Sequence, residues 1–163
     1  MVAYAGLTKV ADPAENKIGP KGYGVGFEGL MRFAMRQIPE REVIRDGVRR
    51  AEKMVPEIAV RELLANALIH QDISIRGTSV MVDIFSNRVE ISNPGTPILP
   101  LDRLIDGVRS RNERLADIMR NMGICEERGS GIDKVVHSVE VLHLPAPDFR
   151  QVEDRTLIAL YGP

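Results

Sequence analysis

Three polar residues interrupt the most apolar stretch of this sequence. Residues 58–69 are apolar at nine of twelve positions, and the exceptions are Arg61, Glu62 and Asn66. With His70 added, Glu62, Asn66 and His70 stand four apart, a spacing that stacks side chains on one face of an α-helix. Asparagine is a poor helix-interior residue because its amide competes for backbone hydrogen bonds. A helix this apolar is expected to be mostly buried, and a buried carboxylate and amide need partners. A ligand or a metal could be that partner. A carboxylate can align a water for attack, and an amide oxygen can complete a Mg²⁺ shell with phosphate oxygens. The spacing equally suits the solvated side of an amphipathic helix, so the residue types carry the argument.

Two loops add to it. Asn93-Pro94-Gly95 follows a strand pattern, where a loop can reach over a pocket and glycine permits close backbone approach. Gly129-Ser130-Gly131 precedes a helical pattern, whose first N–H groups can hold a phosphate. Arg109, Arg111 and Arg114 read either as a solvated face or as a phosphate clamp. Gly24-Val25-Gly26-Phe27-Glu28-Gly29 fits a dinucleotide fingerprint in letters only, since no strand precedes it and no βαβ unit follows. His137 and His143 have the wrong spacing for a helical metal pair.

The elements that must position these residues are legible in outline. Residues 1–26 are rich in Gly, Pro, Lys and Ala and read as a linker or the tail of a preceding domain, with the main domain at 27–163. A short helix is expected over 27–37 and an extended segment within 42–54. Pro56 opens a strong helix to about Gln71. Residues 78–85 and 88–92 alternate around a Ser86-Asn87 turn and predict a hairpin. Helices are expected over 101–108, 113–121 and from Gly131 to about His143. A terminal hairpin follows over 149–161. This order predicts an α+β two-layer sandwich, with a mixed, mostly antiparallel sheet and helices on one face.

Composition narrows the function classes. The 163 residues can bury a real core, and a net charge of −1 gives no global attraction to nucleic acid or membrane. Cys125 is the one cysteine, which excludes a disulfide framework. No apolar run reaches the length of a membrane span and no secretory signal opens the chain, so a cytoplasmic protein without a membrane partner is expected.

Four blocks in order resemble a known family. Arg61-Glu62-Leu63-Leu64-Ala65-Asn66-Ala67-Leu68-Ile69-His70-Gln71-Asp72 is similar to the asparagine-box helix of a divergent branch of the gyrase, heat-shock-chaperone, histidine-kinase and MutL ATPases. The hairpin into Ile91-Ser92-Asn93-Pro94-Gly95, then Arg111-Asn112-Glu113-Arg114, then Gly129-Ser130-Gly131-Ile132 continue the pattern. This branch is labelled "RecG-like helicase" and sits in bacterial transcriptional regulators behind a Schlafen-type DNA-binding domain. The chain has no Walker phosphate loop, so a helicase motor is not expected from it.

The resemblance implies a Bergerat-type fold, ATP and Mg²⁺ as cofactors, and a role for each matching residue. Glu62 would activate water as general base. Asn66 would hold the metal and touch nucleotide. Asn93 and Gly95 would border the base, His70 and Arg111 would line the nucleotide, and Gly129, Ser130 and Gly131 would border the phosphates. DNA would be reached through a domain N-terminal to this one, and nucleotide would order the segment from Arg109 to Gly131; a homodimer is left open. The branch departs from the wider Asp-x-Gly-x-Gly pattern, since Asn93-Pro94-Gly95-Thr96-Pro97 lacks the aspartate and the second glycine. Weak hydrolysis is therefore an open expectation. Two rivals stand beside this reading. Residues 115–136 mimic a helix-turn-helix, presenting Asp133, Lys134 and His137 with the terminal hairpin as a wing. Alternatively, the chain is a dimerisation module that has lost its ligand.

Overall fold

The computed structural model describes residues 1–10, 13–18, 21–98, 100, 110–125 and 130–163. The centre of the fold is a six-stranded sheet built around the expected hairpin. Strands β1 (Val2–Tyr4), β2 (Pro13–Asn16), β5 (Met81–Ile84), β6 (Arg88–Pro94), β7 (Asp148–Val152) and β8 (Arg155–Tyr161) lie in the order β2-β1-β5-β6-β8-β7. β1 runs parallel to β5 and every other pairing is antiparallel. Strands β3 (Glu40–Arg45) and β4 (Val48–Lys53) form a separate hairpin. Helices α1 (Tyr23–Gln37), α2 (Glu57–His70), α3 (Glu113–Asn121) and α4 (Gly131–Val141) complete the described elements. The molecule is the expected α+β two-layer sandwich.

Period-two alternation sorts the sheet. Val82 and Ile84 on β5 and Val89 and Ile91 on β6 are buried in one cluster with the helices. The same alternation places Asn93 on the Val89–Ile91 face. α1 contributes Phe27, Met31 and Ala34, α3 contributes Ala116 and Met119, and α4 contributes Ile132, Val135 and Val139. α2 lies at the heart of this layer and packs against β6, α1, α3 and α4. Nine of its fourteen residues are buried, so its apolar sequence reflects enclosure on nearly every side.

Several expectations shift. The segment expected to be a linker carries β1 and β2 of the main sheet and the first turn of α1. The Gly24–Gly29 run lies inside α1, where no phosphate loop is formed. The ambiguous stretch before Met54 is a hairpin. Asp46 and Gly47 turn it with φ of 53° and 75°, the left-handed pair of a two-residue turn that asparagine or aspartate followed by glycine favours. Asn93 and Pro94 belong to β6 instead of the loop after it, and they pair with Thr156 and Arg155. The terminal hairpin is not a wing: β8 is an inner strand, paired with β6 along seven residues. That removes the winged helix-turn-helix reading. The expected helix over 101–108, together with Arg109 and Gly129, lies outside the described residues.

Candidate functional site

α2 brings Glu62 and Asn66 together as their spacing predicts. Glu62 is only 2% exposed, and a carboxylate so buried requires compensation. Part of it comes from Arg61, whose guanidinium pairs with the Glu62 carboxylate and also donates to the Gly123 carbonyl at 2.8 Å. The end of α3 is thereby tied to the helix that carries Glu62. Cys125 lies within reach of the same field: burial, then the Glu62 charge, push its thiol pKa up. Both effects disfavour the thiolate, the nucleophilic form.

The first turn of α4 arrives at the same place. A Cβ built on Gly131 would stand 3.0 Å from Glu62 Oε2 and 3.4 Å from Asn66 Nδ2. Glycine lets the helix start this close to the two polar side chains without crowding them. Ser130, the residue before it, makes no side-chain capping bond to α4. A carboxylate, an amide and a helix N-terminus thus converge, which suits a phosphate and a hard cation. Among the described residues no group of three or more His, Cys, Asp or Glu could hold a metal ion. A magnesium ion here would take Asn66 and draw its remaining oxygens from the ligand and water. Within those terms, the residues fit.

The far end of α2 is organised by Asp72, Ser74, Ser110 and Asn112, together with Gly95 and Arg111. Asp72 donates its backbone N–H to the Pro94 carbonyl at 2.8 Å. Gly95, with φ of +101°, leaves room for it: a Cβ there would lie 2.8 Å from the Asp72 Cβ. Arg111 reaches Asp72 Oδ2 at 2.9 Å and the Thr96 carbonyl at 2.7 Å. The Asp72 carboxyl is held below its usual range by the hydroxyl and then the backbone N–H of Ser74, with Arg111 adding to the effect. Asn112 donates to the carbonyls of Ile69 at 2.9 Å and Gln71 at 2.8 Å. The Ser110 hydroxyl also reaches Ile69 O, at 3.2 Å. These bonds satisfy carbonyls that the end of α2 would otherwise orphan.

Of the predicted residues, Glu62, Asn66 and Gly131 stand together, with Ser130 beside them. His70, Arg111 and Gly95 gather about Asp72 at the other end. His70 lies within the electrostatic reach of Arg111, and burial first, that charge second, lowers its pKa. Asn93 is buried at the end of β6, with its amide N–H donating to the Pro94 carbonyl at 3.2 Å. Gly129 lies outside the described residues. The signals for the missed residues are local. Asp72-x-Ser74 is an Asx-turn pattern, and Asn112 immediately precedes a helix that does not use it as a cap.

Comparison with known proteins follows the same outline. The fold matches the crystal structure of the DIP2311 protein from Corynebacterium diphtheriae with a TM-score of 0.87 over 99% of this chain. Identity is 19%, and the chain spans 34% of that protein's length. A search of curated proteins finds no match. A family model matches residues 77–160, from the strand pair β5–β6 to the end of β8, so α2 with Glu62 and Asn66 precedes the matched stretch. That match covers more than half of the 163 residues, and the chain belongs to the family described as "Putative ATP-dependent DNA helicase recG C-terminal", an ATPase-like domain.

Proposed function

We propose that this chain is an ATP- and Mg²⁺-binding regulatory module of a bacterial transcriptional regulator. The observation that carries the reading is the approach of Gly131, at the start of α4, to Glu62 and Asn66. Asn66 supplies an amide oxygen to the metal, and the first turn of α4 supplies N–H groups to a phosphate. The metal, when bound, offsets phosphate charge and polarises the phosphoryl oxygens. Glu62 accepts a proton from water, with Arg61 fixing the direction of its carboxylate. His70, Gly95 and Arg111 border the base end, and Ser130 flanks the phosphates.

Regulation follows from the connection between the site and α3. Arg61 joins the Glu62 carboxylate to the Gly123 carbonyl, so a ligand against Glu62 and α4 changes what holds α3. The module then passes that change to a DNA-binding domain attached ahead of β1, or to a second copy, in the cytoplasm. The degenerate dimerisation reading draws support from the base end, where Arg111 and Asn112 already bond protein groups. Calorimetric titration with ATP and Mg²⁺ separates the two. Binding heat that Asn66→Ala removes supports the nucleotide module, and an intact fold with no heat supports the dimerisation reading. Glu62→Ala should still bind nucleotide yet release no phosphate, and turnover equal to the parent would remove the general-base role.

A further inference from the structure

We propose that the outward face of α1 is the surface through which two copies of this chain pair, antiparallel about a two-fold axis beside Gly29. The second copy named in the reading above thereby gains a docking surface; the pairing needs no nucleotide, and its test uses none.

The face is a continuous stripe at helical spacing. Val25, Glu28, Gly29, Arg32 and Arg36 are all exposed, Val25 by 78%. Among the described residues, no ion pair uses Glu28, Arg32 or Arg36. Glycine weakens a helix interior, yet a Cβ added at Gly29 would meet nothing within 4 Å, so the fold of one chain gives no reason for it. Beside the stripe lies an open hollow of about 520 Å³, with Met31 and Met35 as its apolar part and Arg32, Arg36, Lys53 and Glu57 around them. Methionine side chains adapt to whatever packs on them. The other end of the stripe continues onto the end of α3. Met122 lies against Gly24, where a Cβ would stand 2.5 Å from its Sδ, and Met122 and Ile118 are 50% and 57% exposed.

The order of side chains along this stripe is its own complement when the two helices run antiparallel. With the crossing beside Gly29, Glu28 meets the partner subunit's Arg32, and Val25 meets the partner subunit's Met35. Each contact forms twice, because a two-fold interface uses the same patch on both copies. A parallel pairing would set Glu28 against Glu28 and Arg32 against Arg32, which repels. Glycine at the crossing lets the helix axes approach closely, since their separation follows the side chains at the contact. The hollow then receives the partner subunit's Val25, with the partner subunit's Met122 behind it, and exposed apolar atoms at both ends of the stripe leave water. Pairing also bears on the candidate site. Gly123, next to Met122, accepts from Arg61, whose guanidinium holds the Glu62 carboxylate.

Sedimentation equilibrium of the whole chain over a dilution series, without nucleotide, tests the pairing. The parent protein should pass from monomer to dimer as its concentration rises. Glu28→Arg alone and Arg32→Glu alone should each weaken association about tenfold or more, since either one turns both ion pairs into repulsions. Both positions are exposed, so both variants should melt like the parent. An equimolar mixture of the two variants should pair again, because each altered charge then faces its opposite across the seam. A parent protein that stays monomeric overturns the inference. So does a single variant that dimerises as the parent does, or a mixture that fails to recover. Nucleotide binding is read separately by calorimetry, so failure here leaves the nucleotide reading standing.

Discussion

At the scale of single residues, the site is defined by what glycine permits. Gly131→Ala would push a methyl group to 3.0 Å from Glu62 Oε2, closer than ordinary contact, with the Asn66 amide next nearest at 3.4 Å. Helix propensity favours alanine by about 1 kcal/mol, so the clash and the propensity gain oppose each other in stability. Binding has no such compensation. Gly131→Ala should therefore melt within a few degrees of the parent yet bind nucleotide at least tenfold more weakly, and unchanged affinity would show that α4 does not border the ligand.

His70 makes a second residue-scale prediction. Burial and the Arg111 charge hold its imidazole below the ordinary value. A base depressed in the folded state takes up its proton more readily when unfolded. Stability is then full above about pH 6.5 and falls as pH drops through the folded value. Urea melts from about pH 7.5 to about pH 5 should show that loss, with a shallower slope in His70→Gln. Parallel profiles for the two proteins would rule His70 out as its source. Glu62 and Asn66 were legible from the sequence because polar residues at four-residue spacing stand out in an apolar helix. Asp72 was not, because its importance lies in a contact with Gly95 across the fold.

At the scale of elements, the end of α2 depends on the segment before α3. Asn112 holds two α2 carbonyls and Ser110 reaches one of them. Asn112→Ala removes two hydrogen bonds worth about 1 kcal/mol each and leaves the Gln71 and Ile69 carbonyls less well satisfied. The expected loss is about 2 kcal/mol by urea denaturation, and a loss below about 0.5 kcal/mol would mean water replaces the amide without cost. The hairpins and helices of the second half were legible because alternation and glycine stops are local signals. α3 matches its expected span, and Gly123, with φ of +68°, ends it as expected. In the sequence the β3–β4 hairpin looks like one extended segment, because alternation outweighs the turn signal in Asp46-Gly47. β1 and β2 carry little periodicity: β1 spans three residues and gains its place by pairing with β5, far along the chain.

At the scale of the whole molecule, the order of elements implied the two-layer α+β class, because runs of helices beside antiparallel hairpins have few ways to share one core. The position of β8 was less legible. A terminal hairpin looks alike on paper whether it forms a wing or an inner strand, and only the long-range β6–β8 register decides it. The same holds for the site, whose parts come from α2, the end of β6, the segment before α3 and the start of α4. The meeting of α2 with α4 at one end, and with β6 and the segment before α3 at the other, is a property of packing, while the sequence carries only separate local patterns.

The central claim is that Glu62, Asn66 and the first turn of α4 hold a magnesium nucleotide. Its most direct test is calorimetric titration of the chain with ATP and Mg²⁺ beside Asn66→Ala, with folding of both checked by thermal melting. The account predicts saturable heat in the parent protein that depends on Mg²⁺ and disappears in a folded Asn66→Ala. Absence of heat in the folded parent, or equal heat in the variant, would contradict it.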